Sequence, residues 1–175
     1  MFSDPERNLN QFVLGSGTTV VDFGAGSGAY SFAASESVGE HGKVYAIDVQ
    51  KDLLDKLKKE AKERHLSNIE TIWSDLDHLG GTKLRDGSID AVIASNVFFQ
   101  IENKDNASME MKRILKKGGR VLLIDWMDSF GGMGPEPKAV FGENKAKELF
   151  KKHGFAEDGK IDAGAHHYGI ILRKQ

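Results

Sequence analysis

Cysteine is missing from all 175 positions, which removes disulfides, thiolate zinc sites and cysteine nucleophiles from consideration. Apolar runs of bilayer-spanning length are missing too, so no membrane anchor is expected. The opening residues, MFSDPERNLNQF, have neither the basic start nor the apolar stretch and small-residue cleavage site of a secretory signal, and the expected location is the cytoplasm. A strong excess of one charge is also lacking. The formal net charge of -2 gives no global pull toward nucleic acid; a local basic patch stays open, but no DNA partner is indicated. Internal repeats, low-complexity tracts and dividing linkers are not found. The chain is the size of one ordinary domain, so residues 1–175 are read as one domain without a separate cap or substrate domain.

Hydrophobic residues at 39% and charged residues at 29% suit a globular protein with a real core. Runs rich in β-branched residues at 19–23, 43–47, 69–73, 89–94 and 120–126 read as strands. Helical segments fall between them at 29–38, 51–65 and 106–116. The stretch 77–85 is too short and polar to assign. This alternation predicts right-handed βαβ crossovers and a parallel sheet covered by helices on both faces. In the segment 51–65, Leu53, Leu54, Leu57 and Ala61 share one face, and the Asp55/Lys59 and Glu60/Arg64 pairs lie on the solvent side. A Gly/Pro loop over 127–141 follows, then a helix near 143–153. The last runs, 156–162 and 166–172, are separated only by Ala163, Gly164 and Ala165, a spacing that predicts an antiparallel hairpin at one sheet edge.

The segment VVDFGAGSGAYSF joins a strand ending near Asp22 to a helix through Gly24, Gly26 and Gly28. Glycines permit positive φ and close approach of a ligand to the main chain, while the helix start offers free N–H groups. Such a loop also serves merely as a tight turn. Asp48 ends the next strand; on a parallel sheet it arrives on the same edge, with a carboxylate able to accept two ribose hydroxyl hydrogens. Helix capping is the alternative role for this aspartate, although the helix start near Lys51 is slightly late for it. Ser74, Asp75 and Leu76 follow the third strand; the carboxylate and backbone amides there suit the edge of an adenine, with Val49 and Leu76 on its two faces.

In order along residues 18–126, DFGAGSG, YAIDV, SDLD, DGSIDAVIASNVFF and ILKKGGRVLLIDW resemble the class I S-adenosylmethionine-dependent methyltransferases. The resemblance is greatest to the branch with ubiquinone/menaquinone C-methyltransferases and arsenite methyltransferase. It implies an α/β, Rossmann-like, doubly wound sheet of seven strands, mostly parallel with an antiparallel C-terminal strand, in a three-layer αβα sandwich. It also implies S-adenosyl-L-methionine as cofactor. On this likeness Asp22 and the loop Gly24, Ala25, Gly26, Ser27 and Gly28 hold the methionine part. Asp48 holds the ribose and Asp75 the adenine side. Apart from the likeness, Ser95 is a further cofactor-binding candidate.

Methyl transfer from a sulfonium is an in-line displacement, for which alignment and exclusion of water suffice in large part. Candidates for the acceptor side are Ser95, Asn96, Phe98, Phe99, Trp126, Asp128, His166, His167 and Tyr168. Of these, Asn96, His166, His167 and Tyr168 are the catalytic candidates. Neighbouring strand residues face opposite ways, so at most one of His166 and His167 is expected to reach the site, and the pair is unsuited to hold a metal ion. The Asn/Asp-Pro-Pro-aromatic motif of relatives that methylate base amino groups is missing after strand four. Few residues precede the first strand, so the site is expected to be open, its rim suiting a large acceptor, a partner subunit or a substrate covered by the 127–141 loop with its Gly131, Gly132 and Gly134. The methyl acceptor is unidentified, a small molecule being favoured over protein or RNA, and the state is monomer or homodimer. A non-catalytic cofactor-binding module and an NAD-type dinucleotide-binding protein stay open as alternatives.

Overall fold

The computed structural model describes residues 4–130, 132 and 134–175. Seven strands form one sheet: β1 (Thr19–Phe23), β2 (Lys43–Asp48), β3 (Ile69–Trp73), β4 (Ile89–Ser95), β5 (Leu115–Trp126), β6 (Phe155–Ile161) and β7 (His167–Lys174). Their spatial order is β3-β2-β1-β4-β5-β7-β6. β1 through β5 run parallel, and β7 lies antiparallel between β5 and β6. The terminal hairpin and the antiparallel last strand are both present. From β1 the chain builds outward to β2 and β3, then crosses back to β4 on the other side. The strand order thus reverses between β1 and β4, where a doubly wound sheet opens a crevice at its carboxyl edge.

Among the described residues five α-helices cover the sheet: α1 (Pro5–Phe12), α2 (Ala29–Val38), α3 (Lys51–Glu63), α4 (Lys104–Ile114) and α5 (Glu143–Lys152). Alternation along each strand divides the core into layers. Val21, Phe23, Val92, Val121 and Leu123 pack with Met111 of α4 and Phe150 of α5. Their neighbours Val20, Ile93, Leu122 and Ile124 pack with Phe12 of α1 and Tyr30 and Ala34 of α2, while Phe32, Ala46 and Leu57 join α2 and α3. Near-continuous apolar strands follow from burial on both faces. At the start of α1, Asp4 accepts from the Arg7 N–H at 3.2 Å and Pro5 stands in the first turn, residue types that favour a helix start.

Several element boundaries differ from the sequence reading, and three of the differences have a visible physical cause. α4 starts at Lys104 because Asn103 caps it, its side chain accepting from Asn106 N–H at 3.0 Å. β5 starts at Leu115, paired with Ile89, and a register shift before Arg120 absorbs the glycine pair that reads as a break. His166 lies outside β7 with φ at 65°, so it is no strand residue.

The crossover from β3 to β4 contains no helix. It is tied down by Glu110, a fully buried residue of α4. The Glu110 carboxylate accepts from Gly80 N–H at 2.7 Å, Thr82 N–H at 3.1 Å, the Thr82 hydroxyl and both Nε and Nη2 of Arg113. Burial opposes its charge, but the bonds from Arg113, Thr82 and Gly80 outweigh that and hold its pKa down to about 2. No helix among the described residues is long and apolar enough to cross a membrane.

Candidate functional site

The glycine loop leaves β1 at the switch point and is fastened at once to β2. The N–H groups of Gly24 and Ala25 both donate to the Ile47 carbonyl at 2.9 Å. Its three glycines serve different ends. At Gly24, with φ at 89°, a methyl would stand 2.5 Å from Val97, and at Gly28, the cap of α2, it would stand 2.7 Å from Leu57. These two permit close packing. Gly26 has φ at 53° and nothing within 4 Å of the place a Cβ would take, so it leaves bare backbone facing open space.

Asp48 is buried, at 7% exposure. One of its oxygens accepts from Gly26 N–H and the other from Gln50 N–H, each at 2.8 Å. The α3 cap is Gln50 and not Asp48. Each carboxylate oxygen still has a second lone pair for a ligand. Asp22 lies deeper and accepts from the Ser31 hydroxyl at 2.6 Å. Burial pushes its pKa up to about 6; the Ser31 bonds oppose this and the nearby Asp48 charge adds to it. Asp75 is more exposed and accepts from Asp77 N–H at 2.9 Å.

These groups line one cavity of about 480 Å³ at the carboxyl edge, a size suited to a small ligand or cofactor. It brings together Asp22, Gly24, Ala25, Gly26, Ser27, Asp48, Val49, Asp75, Leu76, Ser95 and Asn96. Two cofactor-side candidates lie behind it. Gly28 is packed against Leu57, and Ser74 spends its hydroxyl on the Gly81 carbonyl and its N–H on the Asp48 carbonyl. The wall also includes Pro5, Tyr30, Gln50, Asp77, Val97, Gln100 and Ile101, which the sequence reading did not single out. Gln50 and Asp77 adjoin residues already chosen and were within reach of it. Pro5 arrives through the packing of α1 on α2, which no local pattern encodes.

At the far side of the cavity, Asn96 adopts φ of 55°, uncommon for a residue with a side chain. Its N–H donates to Ile124 at 2.9 Å. Ser95 Oγ and Asn96 Oδ1 are buried without a hydrogen-bond partner, a state that costs free energy until a donor arrives.

The remaining acceptor-side candidates do not line this cavity. Tyr168 is a core residue, packed on the α4 and α5 side of the sheet, and its hydroxyl donates to the Phe141 carbonyl at 2.9 Å. Burial drives its pKa above the ordinary range. His167 is buried beside Trp126, ring centroids 4.3 Å apart, with Nδ1 3.0 Å from the Ala165 carbonyl. His166 stands 2.9 Å from the Asp128 carboxylate and stacks on Phe130 at 4.0 Å. Phe98 stacks on Phe141 and belongs to the core. In the loop after β5, Gly134 lies so close to the Trp126 ring that a methyl there would stand 2.7 Å from it; Gly131 is outside the described residues.

Comparison with known proteins places this geometry in a family. Residues 14–160 match the family described as a methyltransferase domain. The chain is 29% identical over 112 residues to an arsenite methyltransferase of Halobacterium salinarum, covering 64% of this chain and 28% of that protein. It is 30% identical over 111 residues to the ubiquinone/menaquinone biosynthesis C-methyltransferase UbiE of Haemophilus ducreyi, covering 63% and 42%. The chain thus spans less than half the length of these two relatives. A crystal structure of a SAM-dependent methyltransferase from Aquifex aeolicus superposes with a TM-score of 0.90 at 29% identity, covering 99% of this chain and 91% of that one.

Proposed function

Since this chain belongs to the class I S-adenosylmethionine-dependent methyltransferase family, we propose that it transfers a methyl group from S-adenosyl-L-methionine to a small-molecule acceptor. The observation that carries this is the cavity's surplus of acceptors. Asp22, Asp48, Ser95 and Asn96 line the same cavity as the bare backbone of Gly26, and Ser95 Oγ and Asn96 Oδ1 have no hydrogen-bond partner. Such a lining calls for a ligand rich in donors, and the ribose hydroxyls and ammonium group of S-adenosylmethionine supply them.

Asp48 accepts the ribose hydroxyls through its free lone pairs. Asp22 and the loop Gly24–Ser27 take the methionine part, with Ser95 beside them. Asp75, Val49 and Leu76 take the adenine. When bound, the cofactor would supply a methyl carbon on a positive sulfur, open to in-line displacement by the acceptor's electron pair with the electrons of the broken bond left on sulfur. Asn96, on the acceptor side, orients the incoming molecule. The chain's residues thereby gain rate by alignment and by shielding from water.

Of the acceptors named for the relatives, arsenite fits least, because a soft trivalent ion is held best by thiolates and the sequence has no cysteine. The enzyme acts as one domain in the cytoplasm, as monomer or homodimer. Incubation with methyl-labelled S-adenosylmethionine and separate small-molecule, protein and RNA fractions is expected to label the first. Asp48→Ala should abolish that label. Tight calorimetric binding with no transfer to any fraction would instead make the chain a binding module, and preference for NADH would make it a dinucleotide-binding protein.

A further inference from the structure

Asp125 is a fully buried carboxylate that the reading above does not use. It stands next to last in β5, beside the end of β4, and its side chain points away from the cavity toward the layer of α4 and α5, where its β7 partner Tyr168 also packs. There it collects backbone donors. One oxygen accepts from Trp126 N–H at 2.8 Å and the other from Phe99 N–H at 3.2 Å, with the Phe98 N–H adding to them. The segment it grips is the turn after β4, which supplies Asn96, Val97, Gln100 and Ile101 to the cavity wall. That turn reaches the glycine loop directly, since Val97 fills the space above Gly24.

We propose that Asp125 is a positioning residue: its ionised carboxylate seats the 96–101 turn, and so holds Asn96 and Val97 against the glycine loop in the arrangement that binds the cofactor. The inference rests on the function proposed above. Only the charged form can do this. A carboxylate accepts on both oxygens, whereas the protonated acid turns one oxygen into a donor facing backbone N–H groups that are donors themselves. The groups facing Asp125 are the Lys104 ammonium from α4, which favours the charge, and the Tyr168 phenol from β7, which shares the buried layer. Burial pushes the pKa of Asp125 up to about 6 against the help of its three backbone bonds and Lys104. Release of the turn therefore falls within an accessible pH range.

The test is calorimetric binding of S-adenosylmethionine between pH 4.5 and 8 to the wild-type chain, Asp125→Asn and Asp22→Asn, with nitrogen-15 amide spectra of each free protein. Asp22 also titrates near 6, so wild-type affinity should fall below pH 6 with the uptake of two protons, approaching a hundredfold per pH unit at the acid limit. Each single variant should retain only one proton's slope, about tenfold per pH unit. The amides of Phe98 and Phe99 should shift through the same range in wild type and Asp22→Asn, and stay flat in Asp125→Asn. A wild-type protein that binds but keeps the Phe98 and Phe99 amides unmoved, or an Asp125→Asn variant with the full two-proton slope, overturns the inference. Failure of wild type to bind at any pH overturns the proposed function instead.

Discussion

The Asp48 carboxylate and the Gly26 backbone N–H meet at 2.8 Å, so the acid at the tip of β2 holds the turn that leaves β1. The same carboxylate accepts from Gln50 at the entry to α3. One side chain thus shapes the loop and presents its remaining lone pairs to the cavity. Asp48→Asn keeps the volume and one good acceptor but loses the charge. Bonds to a charged group contribute about 1.5–3 kcal/mol, so S-adenosylmethionine affinity should fall about 10- to 150-fold. Its amide nitrogen also faces either Gly26 or Gln50 N–H, donor against donor, so the free variant should melt lower as well, and calorimetry with a melting curve checks both.

The glycines should separate binding from stability. Gly28→Ala places a methyl 2.7 Å from Leu57, and Gly24→Ala places one 2.5 Å from Val97. Overpacking of this kind costs about 1–3 kcal/mol, with left-handed strain of about 1–2 kcal/mol in addition. Gly26→Ala incurs only the backbone strain, since nothing lies within 4 Å of the added carbon. Its methyl instead enters the space a ligand needs. In denaturant titrations Gly26→Ala should be the most stable of the three, while its cofactor affinity should drop by at least tenfold.

Asp22 gives a pH dependence whose sign follows from its folded pKa, pushed by burial from the ordinary 3.8 up to about 6. Below 3.8 it is protonated in both folded and unfolded chains. As pH rises through 4 to 6 the unfolded chain releases its proton first, so this group's contribution to stability falls across that window. Above 6 the penalty is complete, about 1–3 kcal/mol for a shift of this size. Asp22→Asn should therefore melt higher than wild type at pH 8 and lose that advantage by pH 4. At pH 8 the same variant should bind S-adenosylmethionine less tightly, because the cation has lost its counter-charge.

Much of this arrangement is written locally. Strand positions follow from runs of Val and Ile, the loop from glycines at alternate positions, and Asp48 from its place at a strand tip. What pattern does not convey is how side chains are spent. Ser74 occupies a promising position, yet its hydroxyl is committed to Gly81. Glu110 reads as one more acid on a helix, and only the fold reveals that it replaces a crossover helix by gathering Gly80, Thr82 and Arg113. The imidazoles misled for a related reason: strand alternation was applied to His166, which stands one residue before the strand begins. The β5 start was hidden because a glycine pair that ends elements elsewhere sits here in a register shift.

Asn96 and Tyr168, paired as catalytic candidates by sequence, should part company in kinetics. Tyr168 gives its hydroxyl to Phe141 inside the core, so Tyr168→Phe leaves that carbonyl unpaired. The cost should be about 1–3 kcal/mol of stability, with turnover of the folded enzyme unchanged. Asn96 has the reverse profile. Its φ of 55° suits glycine better than any side chain, and its Oδ1 is buried with no partner. Asn96→Gly removes both the strain and the orphaned atom, and should raise the melting temperature or leave it unmoved. It also removes the amide proposed to orient the acceptor, so kcat should fall about tenfold or more while cofactor affinity changes less. Asn96→Ala restores the strain without the amide and should be the less stable of the two with the same kinetic defect. Equal turnover in Asn96→Gly and wild type would remove Asn96 from the acceptor side and leave alignment to the backbone of the turn that Asp125 holds.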